Sequence, residues 1–176
     1  GIGAYTPKLD EQIRADEDRL DLYEDKLGTY LVKLSSKELS ERDSNEISKL
    51  LHSIGDFERI GDHAVNLLAA SKELWEKQLS FSEKAQRELD VMRKAIREIV
   101  NTTIDAFVQE NLDLAAKVEP LEQVIDEIGV EVKTRHIERL TAGECTIELG
   151  FILSDILGNY ERISDHCSNI AVCIIQ

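Results

Sequence analysis

Asp56-Phe57-Glu58-Arg59-Ile60-Gly61-Asp62-His63-Ala64-Val65-Asn66-Leu67 returns near the C-terminus as Asn159-Tyr160-Glu161-Arg162-Ile163-Ser164-Asp165-His166-Cys167-Ser168-Asn169-Ile170. Both copies carry Glu-Arg-Ile-small-Asp-His, then Asn and an apolar residue, at the same spacing. A match of this length within one chain marks an internal duplication, hence two halves built on one plan. The shared residues are mostly charged or polar. A duplicated core would repeat its Leu and Ile, whereas a duplicated carboxylate pair points to a duplicated site.

The repeat extends outward. Leu20-Asp21, Asp25 and Leu27-Gly28 correspond to Leu121-Glu122, Asp126 and Ile128-Gly129 at an offset of 101, while the Glu-Arg-Ile motifs are offset by 103. The intervening loop therefore differs by about two residues. Ile2-Gly3-Ala4-Tyr5 also resembles Ile104-Asp105-Ala106-Phe107. Residues 1–79 form the first repeat and 80–176 the second.

Composition fixes the class. Gly is sparse, only two Pro occur, and Leu, Ile, Glu, Lys and Ala dominate the 176 residues, which predicts an all-α protein. A net charge of −14 argues against nucleic-acid binding, because phosphate contact requires a basic face. The three Cys form no Cys-x-x-Cys pair and read as buried, reduced thiols of an intracellular protein. Asp155, Glu161, Arg162 and Asp165 interrupt the most apolar stretch, 147–175, so no segment reads as a membrane span.

Helix signals divide the chain further. Thr6-Pro7 reads as a cap followed by Pro at the first helical position, opening a helix to about Leu34. Ser40 with Asp43 starts a second to about Lys77, and Ser80 with Glu83 a third to about Glu110. A fourth is expected from about Leu112 to Leu140, kinked at Pro120, and Thr141-Ala142-Gly143 separates it from the last. The second half thus holds three long helices, enough for a closed bundle. The first holds two plus the stub 1–5, which aligns with the end of the third helix, so its bundle lacks most of its first helix.

The wheel then separates the polar residues. Positions i and i+4 lie about 40° apart, so Glu58 and Asp62 share a face, and Ile47, Leu51, Ile54 and Val65 fall within about 40° of Glu58. The acids sit inside the apolar arc, where an unpaired carboxylate is costly and calls for cations, donors or a solvated groove. Asp21 with Asp25, and Glu122 with Asp126, lie at the edges of the neighbouring apolar faces. Four oxygen donors from two adjacent helices in each half suit a hard cation or iron. Glu17 adds an acid to the first half, where the second has Val118. Acidic i,i+4 pairs are ordinarily solvated surface features. Repetition in both halves and position in the apolar arc favour sites.

His63 and His166 stand about 140° from the Glu of their motif and are poor ligands beside it; contact with another helix or water is expected. Asn66 and Asn169 are expected to bond site carboxylates, and Arg59 and Arg162 to pair with neighbouring acids. Trp75 reads as a packing anchor, and His52 and His136 have no evident partner. No His has Glu three residues before it, as ferritin-like di-iron sites require, and His-Glu-x-x-His, a P-loop and Gly-x-Ser-x-Gly are absent. No catalytic machinery is legible.

Glu58 to Leu67 and its second copy resemble the signature of PhoU-family proteins, and Asp21/Asp25 with Glu122/Asp126 match that family's other repeated motif. Tyr30-Leu31-Val32-Lys33-Leu34-Ser35 and Asp165 to Ile170 look most like the C-terminal PhoU-like domain of bacterial sodium/phosphate cotransporter-family proteins. The resemblance implies two tandem pseudo-symmetric three-helix bundles, the first missing most of its first helix. It implies multinuclear iron or other metal clusters, with Mn, Zn and Mg as alternatives. The implied ligands are Asp21, Asp25, Glu58 and Asp62 in the first half and Glu122, Asp126, Glu161 and Asp165 in the second. The second site is the safer expectation, because Asp21 shortens the reach that Glu122 has. The implied role is regulation of phosphate uptake, without catalysis, on the cytoplasmic side of a membrane phosphate transporter in the same or a separate polypeptide, with a homodimer as a further arrangement. A metal-free helical interaction module is the competing reading, and a metal-dependent hydrolase a weaker third.

Overall fold

Thr6 accepts from the Leu9 amide and Pro7 fills the first helical position, where a missing N–H costs nothing, so α1 runs Pro7–Ser35. The structure, a computed structural model, describes residues 5–176. The match between Ile2-Gly3-Ala4 and the end of the third helix lies outside the described residues. Ser40 accepts from the Asp43 amide and its hydroxyl donates to the Asp43 carboxylate, opening α2 over Glu41–Glu76.

Two boundaries differ from the sequence expectation. The third helix, α3 (Glu83–Gln109), is capped by Ser82, which accepts from the Ala85 amide, and not by Ser80. Three residues separate a capping side chain from the amide it accepts, so Ser82 meets Ala85, and the Ser80–Glu83 spacing was coincidental. The single kinked helix expected over 112–140 is two elements, a turn α4 (Leu112–Ala115) capped by Asn111 and a helix α5 (Val118–Thr141). The chain breaks at Ala116-Lys117, ahead of Pro120. Pro120 therefore falls in the first turn of α5, where an N–H has no intrahelical partner, and no kink is required. Thr146 caps α6 (Ile147–Ile175).

Among the described residues all regular structure is helical. Helices α3, α5 and α6 pack on one another as a three-helix bundle, with α4 at one end. Its core is largely apolar: Met92 and Ile99 of α3, Ile125 of α5, and Leu153, Ile156 and Leu157 of α6 are fully buried. Arg139 of α5 clamps the bundle's other end by two bonds to Glu88 of α3, at 2.9 and 2.8 Å, with both side chains buried.

The first half is thinner. Helix α2 lies along α6, while α1 touches only α2. Gly61 lets the two close in, since a Cβ there would stand 2.7 Å from Cδ1 of Leu20. At the base of the hairpin Tyr5 donates to Asp10, and its ring packs 5.3 Å from that of Trp75. Trp75 is thus an anchor for α1 and is otherwise exposed. No helix of the described residues is long and apolar enough to cross a membrane.

Candidate functional site

The repeated motif splits its residues between two jobs. One face of α2 turns its acids toward α1, and the corresponding face of α6 turns its acids toward α5. Burial, followed by the charges of Asp62, Asp21 and Glu24, pushes the Glu58 carboxyl above the ordinary range. Glu17 is raised by burial and by Asp21 and Asp62. Asp62 thus raises both Glu58 and Glu17. Asp25 is exposed and is not among the charges acting on either.

In the second half neighbouring acids of the expected set act on Glu122 and Asp165. Burial, then Asp126 and Asp165, raises Glu122. Burial, then Asp126, raises Asp165, with Glu161 adding to the rise and Arg162 and His166 opposing it. Glu161 differs from its counterpart: it accepts from Lys133 Nζ at 2.5 Å. Val32 occupies the position of Lys133 in the first half. Among the described residues, Asp21, Asp25, Glu58, Asp62, Glu122, Asp126 and Asp165 form no ion pair, and neither do Arg59 and Arg162. The arginines expected to neutralise the motif acids do not pair with them. Lys133, one helix away and invisible to local spacing, neutralises Glu161 alone.

Chemically both clusters fit a hard cation, since their donors are carboxylate oxygens whose mutual repulsion a positive charge relieves. As they stand, no three His, Cys, Asp or Glu side chains of the described residues enclose an ion-sized position. Binding would require side-chain rotation within each groove, including release of Glu161 from Lys133.

The other face of the motif holds the halves together. His63 donates from Nδ1 to Asn159 Oδ1 at 2.9 Å, and His166 from Nδ1 to Asp56 Oδ1 at 2.8 Å. Asn66 donates to Asn159 and Asn169 to Asp56, each at 3.2 Å. Asp56 and Asn159 are equivalent under the 103-residue offset, so the two sets are one arrangement repeated about a pseudo-two-fold axis. That axis passes between the imidazoles, which stack at 5.6 Å. Their separation from the acids, about 140° on the wheel, is what aims them at the opposite half. The contact of both histidines with another helix follows the sequence expectation. The asparagines do not: they reach across to Asp56 and Asn159 instead of bonding site carboxylates, because their face of the helix turns inward to the partner half. Asp56 and Asn159 were not singled out by sequence, although each lies two residues before the motif Glu.

The remaining residues are structural. His136, without evident partner in the sequence, is buried with its ring against Gly150, and its Nδ1 lies 3.7 Å from Cys145 Sγ. Of the three cysteines expected to be buried only Cys167 is, and burial pushes its thiol up to about 11. Cys145 and Cys173 lie at helix ends and are partly exposed.

Comparison with known proteins agrees with this arrangement. A protein of Thermotoga maritima, phosphate-specific transport system accessory protein PhoU homolog 1, is 30% identical over 129 residues, covering 73% of this chain and 55% of its own. A phosphate-specific transport system accessory protein PhoU homolog of Pseudomonas putida is 29% identical over 171 residues, covering 95% and 65%. The chain thus spans less than two thirds of the length of either. The crystal structure of PhoU from Pseudomonas aeruginosa superposes with a TM-score of 0.87 at 24% identity, over 96% of this chain and 80% of that one, which establishes the shared fold. The PhoU domain model matches residues 5–70 and 89–174, which takes in both copies of the motif and both acidic helix pairs, and the chain therefore belongs to the PhoU family.

Proposed function

We propose that the protein is a non-catalytic, metal-binding regulatory unit of phosphate uptake, with repeats 1–79 and 80–176 each holding one acidic site. It would act on the cytoplasmic face of a membrane phosphate transporter, either joined to a sodium/phosphate cotransporter-type polypeptide or as a separate chain. The observation that supports the metal reading is the pair of carboxylate clusters, each built around partly buried Glu side chains (Glu58; Glu122 and Glu161), in which seven of the eight acids have no cationic partner among the described residues. A bound cation would supply the positive charge that these faces lack. Asp21, Asp25, Glu58 and Asp62, with Glu17 close by, would hold it in the first half, and Glu122, Asp126, Glu161 and Asp165 in the second. Iron is the metal the family resemblance points to, with Mn, Zn and Mg as alternatives. The role rests on the relatives named as phosphate-specific transport accessory proteins.

Because α2 and α6 carry both the acids and the His–Asn clamp, a charge change in one groove acts on a helix that the other half grips. This gives a physical route by which site occupancy could alter the surface offered to a transporter. The test is metal content after purification without chelator, for the wild type, Glu58→Ala/Asp62→Ala and Glu161→Ala/Asp165→Ala. Each double variant should lose the metal of its own half only. Equal content in all three would remove the site assignment.

One observation favours the metal-free interaction module for the second half, namely the Lys133–Glu161 ion pair. On that reading chelation leaves the melting temperature unchanged, whereas linkage requires it to fall when a native-state ligand is withdrawn.

A further inference from the structure

The second acidic face carries a lysine that the first lacks, and its carboxylates are arranged differently in consequence. Gly129 and Lys133 stand four residues apart on α5 and so share the face turned to α6. Lys133 Nζ donates to Glu161 Oε1 at 2.5 Å. The same oxygen lies over Gly129, where a Cβ would stand 3.0 Å from it and 3.6 Å from Cε of Met92. Glu161 is thus drawn onto the α5 backbone, into a cradle that a side chain at position 129 would narrow.

The first half keeps the glycine and lacks the ammonium. Gly28 and Val32 occupy the equivalent positions, and a Cβ on Gly28 would meet nothing within 4 Å. Glu58, with no lysine to hold it, faces the acids of its own groove, and Asp62 and Asp21 raise it. Glu161 has turned from that role. It is not among the charges acting on Glu122, and its effect on Asp165 is the smallest of those acting there.

We infer that Lys133 is a built-in competitor for the cation of the second acidic face, holding Glu161 over Gly129 until a metal ion takes that carboxylate from it. The inference rests on the metal reading above and names the regulation of that site. Loading replaces one positive charge at Glu161 by another, so the second half fills only at a higher cation concentration than its four carboxylates alone would need. It also frees the Lys133 ammonium at the rim of the groove, which changes the charge offered to a partner. Side chains 41% and 31% exposed hold each other weakly, so the exchange is reversible. Val32 sets no such threshold in the first half.

The probe is Mn²⁺, titrated into the chelator-stripped 176-residue chain and followed by loss of the free-ion electron paramagnetic resonance signal. Glu58→Ala/Asp62→Ala confines binding to the second half. In that background Lys133→Met, which keeps the length and removes the charge, should tighten binding about fivefold, and Lys133→Arg should leave it within about twofold. In the Glu161→Ala/Asp165→Ala background, Val32→Lys installs the competitor in the first half and should weaken binding about fivefold. Val32 is exposed and Lys133 partly so, and neither change threatens folding. In the unsubstituted chain, acetylation of Lys133 by a limiting reagent should quicken on Mn²⁺ addition, while that of the exposed Lys94 on α3 stays constant.

Unchanged affinity in Lys133→Met, or equal tightening by Lys133→Met and Lys133→Arg, overturns the competitor role and leaves the metal reading standing. So does Lys133 reactivity indifferent to bound Mn²⁺. Absence of Mn²⁺ from every variant removes the metal reading, and this inference with it.

Discussion

Replacing either histidine of the inter-half clamp by alanine should destabilise the protein, but by unequal amounts. His166→Ala removes the shorter of two bonds to Asp56, a buried carboxylate with a side chain 12% exposed, and leaves Asn169 as its remaining donor. Taking a hydrogen-bond donor from a buried carboxylate costs ~1–3 kcal/mol and more for a charged group, so with the Asn169 bond kept the loss should be ~3 kcal/mol. His63→Ala removes a bond to Asn159, which is neutral, keeps Asn66 as a donor and donates its own amide to the Asp155 carbonyl. That loss should be ~1 kcal/mol. Urea unfolding with a slope of about 2 kcal/mol per molar would separate the two midpoints by about 1 M. Asp56→Asn, which gives the second arm the chemistry of the first, should narrow the gap to within error. Equal losses for the two histidines, or a gap that survives Asp56→Asn, would refute the reasoning that the uncompensated carboxylate sets the asymmetry.

Other outcomes can be read in the same unfolding assay. Gly150→Ala would bring a Cβ to 2.7 Å from Nε2 of the buried His136 and should cost ~1–3 kcal/mol, whereas Gly28→Ala meets nothing within 4 Å and should gain up to ~1 kcal/mol of helix propensity. Arg139→Ala leaves Glu88 only the longer, 3.7 Å ion pair to Arg135 and should cost ~2 kcal/mol. Glu58 and Glu122 have folded-state pKa values raised above their unfolded values, so their relief of the fold is fully present below the unfolded value and disappears as pH rises through the folded one. In metal-free protein the stability advantage of Glu58→Gln or Glu122→Gln over wild type should therefore grow from mildly acidic to neutral pH, and a constant difference would contradict the assignment.

Local physics made most helices legible. Thr6-Pro7 and Ser40 satisfy orphan amides within their own first turn, so sequence spacing alone exposes them. The break before α5 left no such mark, because Ala116-Lys117 contains neither Gly nor Pro and the interruption depends on Asn111 capping a turn of four residues. Wheel arithmetic correctly moved His63 and His166 away from the acids, since 140° is a property of the helix and not of its neighbours. What lies at the other end of those imidazoles required the tertiary fold. Asp56 and Asn159 hold matching positions in the two motif copies and are near-identical in shape, which is the signal the sequence offers for them. Lys133 could not be found that way, because its partner Glu161 lies 28 residues off on another helix.

Anomalous diffraction from crystals grown without chelator decides whether the paired acidic faces hold cations. Bound metal would give density at its absorption edge between Glu122/Asp126 and Glu161/Asp165, with Lys133 displaced from Glu161, and a second feature where Asp21 faces Glu58 and Asp62. A flat anomalous map at both positions, with Lys133 still bonded to Glu161, would contradict it.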